Sequence, residues 1–505
     1  MKITELLGLD VAPVSASPLS SPGAAPLNDP DITGVTADSR QVQPGFLFAA
    51  LNGVQTDGRR FAAEAVAKGA AAILTDDPAA LALDAAARQQ VAIVADPNPQ
   101  RALALAASRF YPARPRTIAA VTGTNGKTSV AHFTREIWRA LGHKSASLGT
   151  LGCVVGNERR SGALTTPDPV ALHRTLSELV AGGVDHAAIE ASSHGLAQYR
   201  LDGIEFAAAA FTNLTRDHLD YHGDMESYRA AKVRLFTALL APGGTAVLNT
   251  DSSEFARLAA LMRDRGHKII AYGAGANADL CLLSRMPHRD GQRISLALFG
   301  MPHEIELNLI GDFQALNVLA ALGLAVAGGS DPGHAAAALP LLTTVPGRMQ
   351  LAGEVAFNKS GGAAVFVDYA HTPDALATVL AAARPHAEGR LCVVFGAGGD
   401  RDKGKRPLMG KVAADLADLV YVTDDNPRGE VPGEIRRAIL AGAPNAIEIG
   451  DRRSAIATAI AALAPGDFLV IAGKGHETGQ IVGGKTLPFD DAVVAREAIA
   501  ERGGR

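Results

Sequence analysis

The chain has 505 residues, 47% of them hydrophobic and 20% charged, and a formal net charge of −4; it is too long for one core and fits about three domains of a soluble globular enzyme. With no basic field or long basic run, composition argues against nucleic acid as a partner, and Cys153, Cys281 and Cys392, odd in number and far apart, fit a reducing compartment rather than a disulfide framework. No apolar run approaches the ~18 residues of a membrane span and Met1-Lys2-Ile3-Thr4-Glu5 lacks the core of a signal peptide, so the expected location is the cytoplasm.

Residues 11–30, rich in Pro, Ser and Ala, read as a surface loop. From Thr33 to about Asp96 short apolar runs alternate with an alanine-rich helix and end in a strand at Ala92–Ala95, which predicts a small α/β unit. Tyr111-Pro112-Ala113-Arg114-Pro115 reads as a linker. Next comes a buried strand, Thr117-Ile118-Ala119-Ala120-Val121, followed by Thr122-Gly123-Thr124-Asn125-Gly126-Lys127-Thr128-Ser129. A strand that ends in a glycine turn and enters a helix aims several N–H groups and the positive end of a helix dipole at one spot. Lys127 adds a full charge, and the Thr128 hydroxyl is placed to hold the accompanying Mg²⁺. The spacing is the compact Gly-x-x-Gly-Lys-Thr form, and it predicts an ATP or GTP site.

The middle region repeats strand then helix, with strands at 187–189, 207–211 and 245–248, which predicts a mainly parallel sheet covered on both faces. Ligands of such sheets bind beyond the carboxyl ends of strands. Glu190 ends one strand there and suits Mg²⁺, with helix capping by Ser192 or Ser193 as the competing use of that segment. Residues 211–222 put His218 and His222 beyond another strand; His218 fits a second metal, and His222 fits a turn. Lys232, on a short amphipathic helix, reads by itself as a solvated lysine. Residues 279–310 alternate apolar and polar positions and predict a small antiparallel excursion.

A second boundary falls at Val345-Pro346-Gly347-Arg348, after which strands at 365–367, Leu391–Phe395, Leu419–Val422 and 468–471 alternate with helices at Pro373–Ala383 and 434–440. Gly396-Ala397-Gly398-Gly399 is a weak dinucleotide signal, since Arg401 stands at the third glycine position. Asp368-Tyr369-Ala370-His371-Thr372-Pro373 fits either a nucleotide ribose or a cap for the helix starting at Pro373. The turn Asp425-Asn426-Pro427-Arg428 presents a guanidinium suited to a substrate carboxylate, or is an ordinary Asn-Pro turn.

Taken together, these segments resemble the Mur ligases of bacterial cell-wall synthesis, from Asp38-Ser39-Arg40 and Asp57-Gly58-Arg59 through the phosphate loop, Leu164-Thr165-Thr166-Pro167, Gly347-Arg348 and Gly473-Lys474-Gly475-His476-Glu477. The resemblance implies an α/β fold of three domains: a UDP-muramoyl-peptide unit at 1–114, a central P-loop ATPase with a mainly parallel sheet at 115–345, and a dinucleotide-fold-like amino-acid domain at 346–505. It implies that ATP phosphorylates the D-glutamate carboxylate of UDP-MurNAc-L-Ala-D-Glu and that the amine of meso-2,6-diaminopimelate attacks the acyl phosphate. Gly123, Thr124, Asn125, Gly126, Lys127, Thr128, Ser129, Asn317, Arg348, Asp368 and His371 match ATP positions. Thr128, Glu190, His218 and Lys232 match metal positions, Lys232 as a carbamate formed from CO₂, and this replaces its reading as a solvated lysine. Lys127, Lys232 and His218 form the implied catalytic set. Ser39, Gln55, Thr165, Thr166, Ser192, Gln198 and Arg200 match the UDP-muramoyl-peptide site. Arg401, Asp425, Asn426, Pro427, Arg428, Gly473 and Glu477 match the diaminopimelate pocket, where Arg428 and Glu477 answer the second carboxylate and second amine and so disfavour lysine. Thr128-Ser129 departs from the two threonines of many relatives. The resemblance also implies a monomer without membrane span. The alternatives are a lysine-adding Mur ligase and, in a different class, a P-loop kinase.

Overall fold

The computed structural model describes residues 1–9, 29–53, 56–160, 162, 164–275, 277–288, 291–357 and 361–502. Most of the segment read as a surface loop, and Gln55, lie outside the described residues.

Three main sheets follow one another along the chain. The first has four parallel strands in chain order between Gly34–Thr36 and Ala92–Ala95. Its helix Pro99–Phe110, started by Asn98, packs on the helix Pro169–Ala181 of the next unit. Arg101 Nε donates across that junction to Asp202 Oδ1 at 3.1 Å, and Arg234 Nη2, from the second unit, donates to the same oxygen at 2.6 Å.

The second sheet has eleven strands. At its centre Thr117–Thr122 lies between His186–Glu190 and Phe206–Phe211, all parallel. The chain leaves the central strand toward one neighbour and returns on its other side, so a crevice opens beyond the carboxyl ends of these three strands. Between their end residues these strands are apolar because both faces are covered. On one face the helix Asp312–Ala327, buried on nearly every side, lies against Lys127–Ala140, whose Phe133 and Trp138 are fully buried. Each such side chain contributes roughly 1.5–3 kcal/mol on burial. The other face is closed by Leu172, Leu176, Phe206 and Phe236. The expected antiparallel excursion is present as Leu280–His288, Gly291–Leu298 and Met301–Leu307. A second antiparallel run, Ser145–Gly149 through Glu158–Arg160, extends the opposite edge. Its small and polar residues carry little strand propensity, which is why the sequence reading passed over it.

The third sheet has six strands, antiparallel only where Gln350–Ala356 meets Gly362–Asp368. Among the described residues, no helix is long and apolar enough to cross a membrane.

Candidate active site

The glycine loop joins the central strand to the helix Lys127–Ala140 through Gly126, which caps the helix at φ 88°. Gly123, at φ 145°, has no room for a side chain: a Cβ would stand 1.9 Å from Thr212 Oγ1. A Cβ on Gly126 would stand 2.5 Å from Asn317 Oδ1, so Asn317, on its long buried helix, borders the loop directly. The loop is tied down from the neighbouring strand end. Thr124 N–H and Asn125 N–H donate to the backbone and side-chain oxygens of Asn213, both at 2.9 Å. What remains to face an anion is the first turn of the helix, at Lys127, Thr128 and Ser129, whose N–H groups have no partner within the helix.

Thr128 and Glu190 come together, the hydroxyl donating to Glu190 Oε2 at 3.0 Å. Glu190 is buried, which pushes its carboxyl up, while Lys127 pulls the other way. Thr150, absent from the sequence-based set, completes the arrangement: its N–H donates to Glu190 Oε1 at 2.7 Å, and its hydroxyl reaches Oε2 at 3.3 Å and Thr165 Oγ1 at 3.1 Å. It sits in the tight Gly149-Thr150-Leu151-Gly152 turn, a signal the sequence did carry. Thr166 Oγ1 meets the Glu190 carbonyl at 2.8 Å and Ser192 Oγ at 2.9 Å. Ser192 also accepts from Gly195 N–H, so it does cap its short helix. Arg200 donates to the Thr166 carbonyl at 2.7 Å and grips Gln198 Oε1, and Gln198 donates to the Tyr221 hydroxyl. One hydrogen-bonded path thus runs from the phosphate loop to Arg200. Ser39 stands apart in the first unit, with its hydroxyl 3.3 Å from Glu64.

The reading of Lys232 as a solvated lysine is overturned: it is 1% exposed, lies 4.4 Å over the Tyr228 ring, and donates to the Gly123 carbonyl at 2.7 Å. Burial, reinforced by Lys127, pushes its ammonium down to about 6. Tyr228, itself buried, hydrogen-bonds Thr124 at 3.2 Å and so fixes both loop and lysine. His218 is exposed at φ 53°, 3.5 Å from Asp217 and in ring contact with His194. Among the described residues, Glu190 and His218 are not drawn into a common cluster of three His, Cys or carboxylate ligands. His222 closes the single-turn helix Leu219–His222.

Across the crevice, Arg348 stacks on Tyr369 at 4.8 Å. Within this segment Thr372 caps the helix starting at Pro373, accepting from Ala375 N–H. Asp368 instead accepts from the N–H groups of Met349 and Ala370, at 2.7 and 2.8 Å, and so pins the segment after Arg348 to its strand end. His371 Nδ1 lies 3.0 Å from the Tyr369 carbonyl.

The last group gathers where strands Leu391–Phe395, Leu419–Val422 and Phe468–Ala472 end. Asn426 Nδ2 donates to Glu477 Oε2 at 2.9 Å. The fully buried Lys474, also absent from the sequence-based set, donates to Asn426 Oδ1 at 3.0 Å and to Glu477 Oε2 at 3.1 Å. Glu477 is therefore half of an ion pair and not a bare anion. Arg428 Nη1 donates to the Gly399 carbonyl at 2.8 Å. Gly473, at φ 117°, lets Asp425 approach so closely that a Cβ would stand 2.6 Å from Asp425 Oδ2, a buried oxygen with no hydrogen-bond partner. Arg401 is exposed and donates to the Asp400 carbonyl at 3.4 Å.

A glycine loop opening a helix, set across a crevice from a second cluster of charged and polar side chains, fits an ATP-dependent ligase architecture, and comparison with known proteins agrees. Residues 31–111 match the model of the Mur ligase family, catalytic domain; residues 121–325 match the Mur ligase middle domain; and residues 347–475 match the Mur ligase, glutamate ligase domain. A UDP-N-acetylmuramoyl-L-alanyl-D-glutamate–2,6-diaminopimelate ligase of Bradyrhizobium diazoefficiens is 51% identical over 505 residues, covering 99% of this chain and all of that one. One of the same description from Caulobacter vibrioides is 52% identical, over 93% of this chain and 96% of its own. A solved structure described as that ligase superposes with a TM-score of 0.72 at 33% identity, covering 100% of this chain and 99% of that one. The chain belongs to the Mur ligase family.

Proposed function

We propose that the chain is an ATP-dependent ligase that joins meso-2,6-diaminopimelate to the D-glutamate carboxylate of UDP-MurNAc-L-Ala-D-Glu in peptidoglycan precursor synthesis, a reaction of the cytoplasm. The observation that carries the reading is the hydrogen-bonded path that links Thr128 to Glu190, the Glu190 carbonyl to Thr166, and Thr166 to Arg200, with Thr150 and Thr165 as a branch from the Glu190 carboxylate; it supports coupling between a nucleotide loop and a second substrate site.

A carboxylate is a poor acylating agent, so it first attacks the γ-phosphorus of ATP. The bond to the ADP oxygen breaks, and ADP leaves. The neutral diaminopimelate amine then attacks the acyl carbon, the nitrogen gives up one proton to solvent, and the tetrahedral intermediate collapses as phosphate departs with the C–O bond pair. Lys127 and the helix N–H groups neutralise charge that develops on the transferring phosphoryl group. A buried carboxylate beside a hydroxyl fits a hard cation, so Thr128 and Glu190 would hold Mg²⁺, with His218 and carbamylated Lys232 as further ligands. When bound, Mg²⁺ supplies charge neutralisation at the phosphate oxygens. Lys232 suits carbamylation because its amine is neutral near pH 7: the nitrogen attacks CO₂, an N–C bond forms, and one proton leaves to solvent. Arg200, Gln198, Ser192, Thr165 and Thr166, with Ser39 and Gln55, hold the UDP-linked dipeptide. Asp425 offers its unpaired oxygen to a substrate ammonium, and Arg428 and Arg401 receive carboxylates.

Phosphate release is measured with ATP, Mg²⁺ and UDP-MurNAc-L-Ala-D-Glu, comparing diaminopimelate, L-lysine and no amine. Release with a tripeptide product only in the diaminopimelate arm is expected. Release confined to the lysine arm overturns the acceptor, and equal release without amine overturns the ligase in favour of a kinase or phosphatase.

A further inference from the structure

The strand His186–Glu190 has chemistry at both ends. Glu190 closes the carboxyl end in the reaction crevice, while His186 opens the amino end on the opposite side of the sheet. There Asp185 and His186 meet His143, from the turn between the helix Lys127–Ala140 and the strand Ser145–Gly149. Asp185 Oδ1 is 2.9 Å from His186 Nδ1, and Asp185 Oδ2 is 3.6 Å from His143 Nδ1. The three ligand atoms all lie within 4.8 Å of one another. A tetrahedral ion with ligands at about 2.1 Å holds neighbouring ligand atoms about 3.4 Å apart, so the observed spacings bracket what one ion needs.

The frame is rigid. Asp185 N–H donates to the Lys144 carbonyl at 3.0 Å, and the His186 ring, 3% exposed, is packed against Trp138 and lies 4.0 Å from the His143 ring. His143 also borders a cleft of about 580 Å³, so the site has an entry path and room for a fourth ligand.

We propose that His143, Asp185 and His186 form a binding site for a divalent transition-metal ion of the Zn²⁺ class, separate from the reaction crevice. An ion there clamps the end of the phosphate-loop helix to the start of the strand that carries Glu190.

Tag-free, chelator-treated protein, with its nucleotide site saturated by Mg²⁺ and ADP, is titrated with Co²⁺ and then Zn²⁺. One equivalent of Co²⁺ is expected to develop the intense visible absorption of a four-coordinate ion, which Zn²⁺ bleaches while raising the thermal midpoint. His143→Ala and, independently, Asp185→Asn should each weaken binding by about tenfold or more, with ligase activity in Mg²⁺ buffer stripped of transition metals unchanged. An absence of coloured Co²⁺ complex in the wild type, or an equal complex in both variants, overturns the site.

Discussion

Lys127 and Lys232 donate to the same acceptor, the Gly123 carbonyl, at 2.9 and 2.7 Å. Lys127 has a second acceptor in the Thr124 carbonyl at 2.8 Å; burial pushes both ammonium groups down, Lys232 to about 6. A neutral, buried, immobilised amine beside a phosphate loop is poised to take up CO₂.

Carbamylation therefore carries a direct expectation. Exhaustive removal of CO₂ should lower kcat, and bicarbonate should restore it, with a ¹³C-carbamate resonance from ¹³CO₂ that Lys232→Ala lacks. Lys232→Ala should lose about 10²-fold in kcat, partly recovered by small carboxylic acids. Normal turnover by that variant removes the carbamate from the reaction.

The same lysine sets a pH dependence of stability. Its value falls from 10.5 to about 6 on folding, so between these limits the unfolded chain binds one more proton than the folded one, and stability rises with pH. Below about 6 the lysine is charged in both states and its full penalty is present. In CO₂-free buffer without nucleotide, Lys232→Met should flatten the rise of unfolding free energy between pH 6.5 and 9, on the order of a few kcal/mol over the whole range. Parallel profiles for the two proteins contradict the buried-amine account.

The phosphate loop, the alternating strands and helices and the antiparallel excursion at 279–310 were legible because each rests on local signals: a glycine spacing, an apolar run, a period. Lys232 by itself was not, because its burial is made by Gly123 and Tyr228 folding over it, and its own helix has no strong apolar stripe. Lys474 was invisible for a related reason: a lysine between two glycines looks exposed, and its partners Asn426 and Glu477 converge only when two strand ends meet. The strand Ser145–Gly149 was passed over because small residues suffice where neighbours on both sides, His186–Glu190 and Gly152–Val155, supply the pairing. Thr150 was the one omission with a readable cue, in the glycine-flanked turn that holds it.

Lys474 neutralises Glu477 and orients Asn426, so it is a positioning residue for the amino-acid pocket. Lys474→Met leaves Glu477 without its cation and frees the Asn426 amide to turn. KM for diaminopimelate should rise by about 10-fold or more, with KM for ATP nearly unchanged. An equal rise in both constants would instead mark a general loss of structure.

Arg428 bears on the choice of amino acid. Its backbone is fixed on both sides, the N–H donating to the Ile481 carbonyl at 3.0 Å and the carbonyl accepting from Gly483 at 2.8 Å, so the guanidinium is presented from a rigid turn at φ 52°. One nitrogen is held by the Gly399 carbonyl, which orients the plane. Diaminopimelate differs from lysine by a distal carboxylate, and a preoriented guanidinium rewards that group while an acceptor without it leaves the cation unpaired. Arg428→Ala should raise KM for diaminopimelate by about 10²-fold, leave ATP affinity intact and narrow the preference over lysine. If kcat/KM for the two amino acids falls by the same factor, discrimination resides elsewhere in the pocket and Arg428 serves only to brace the Gly399 turn.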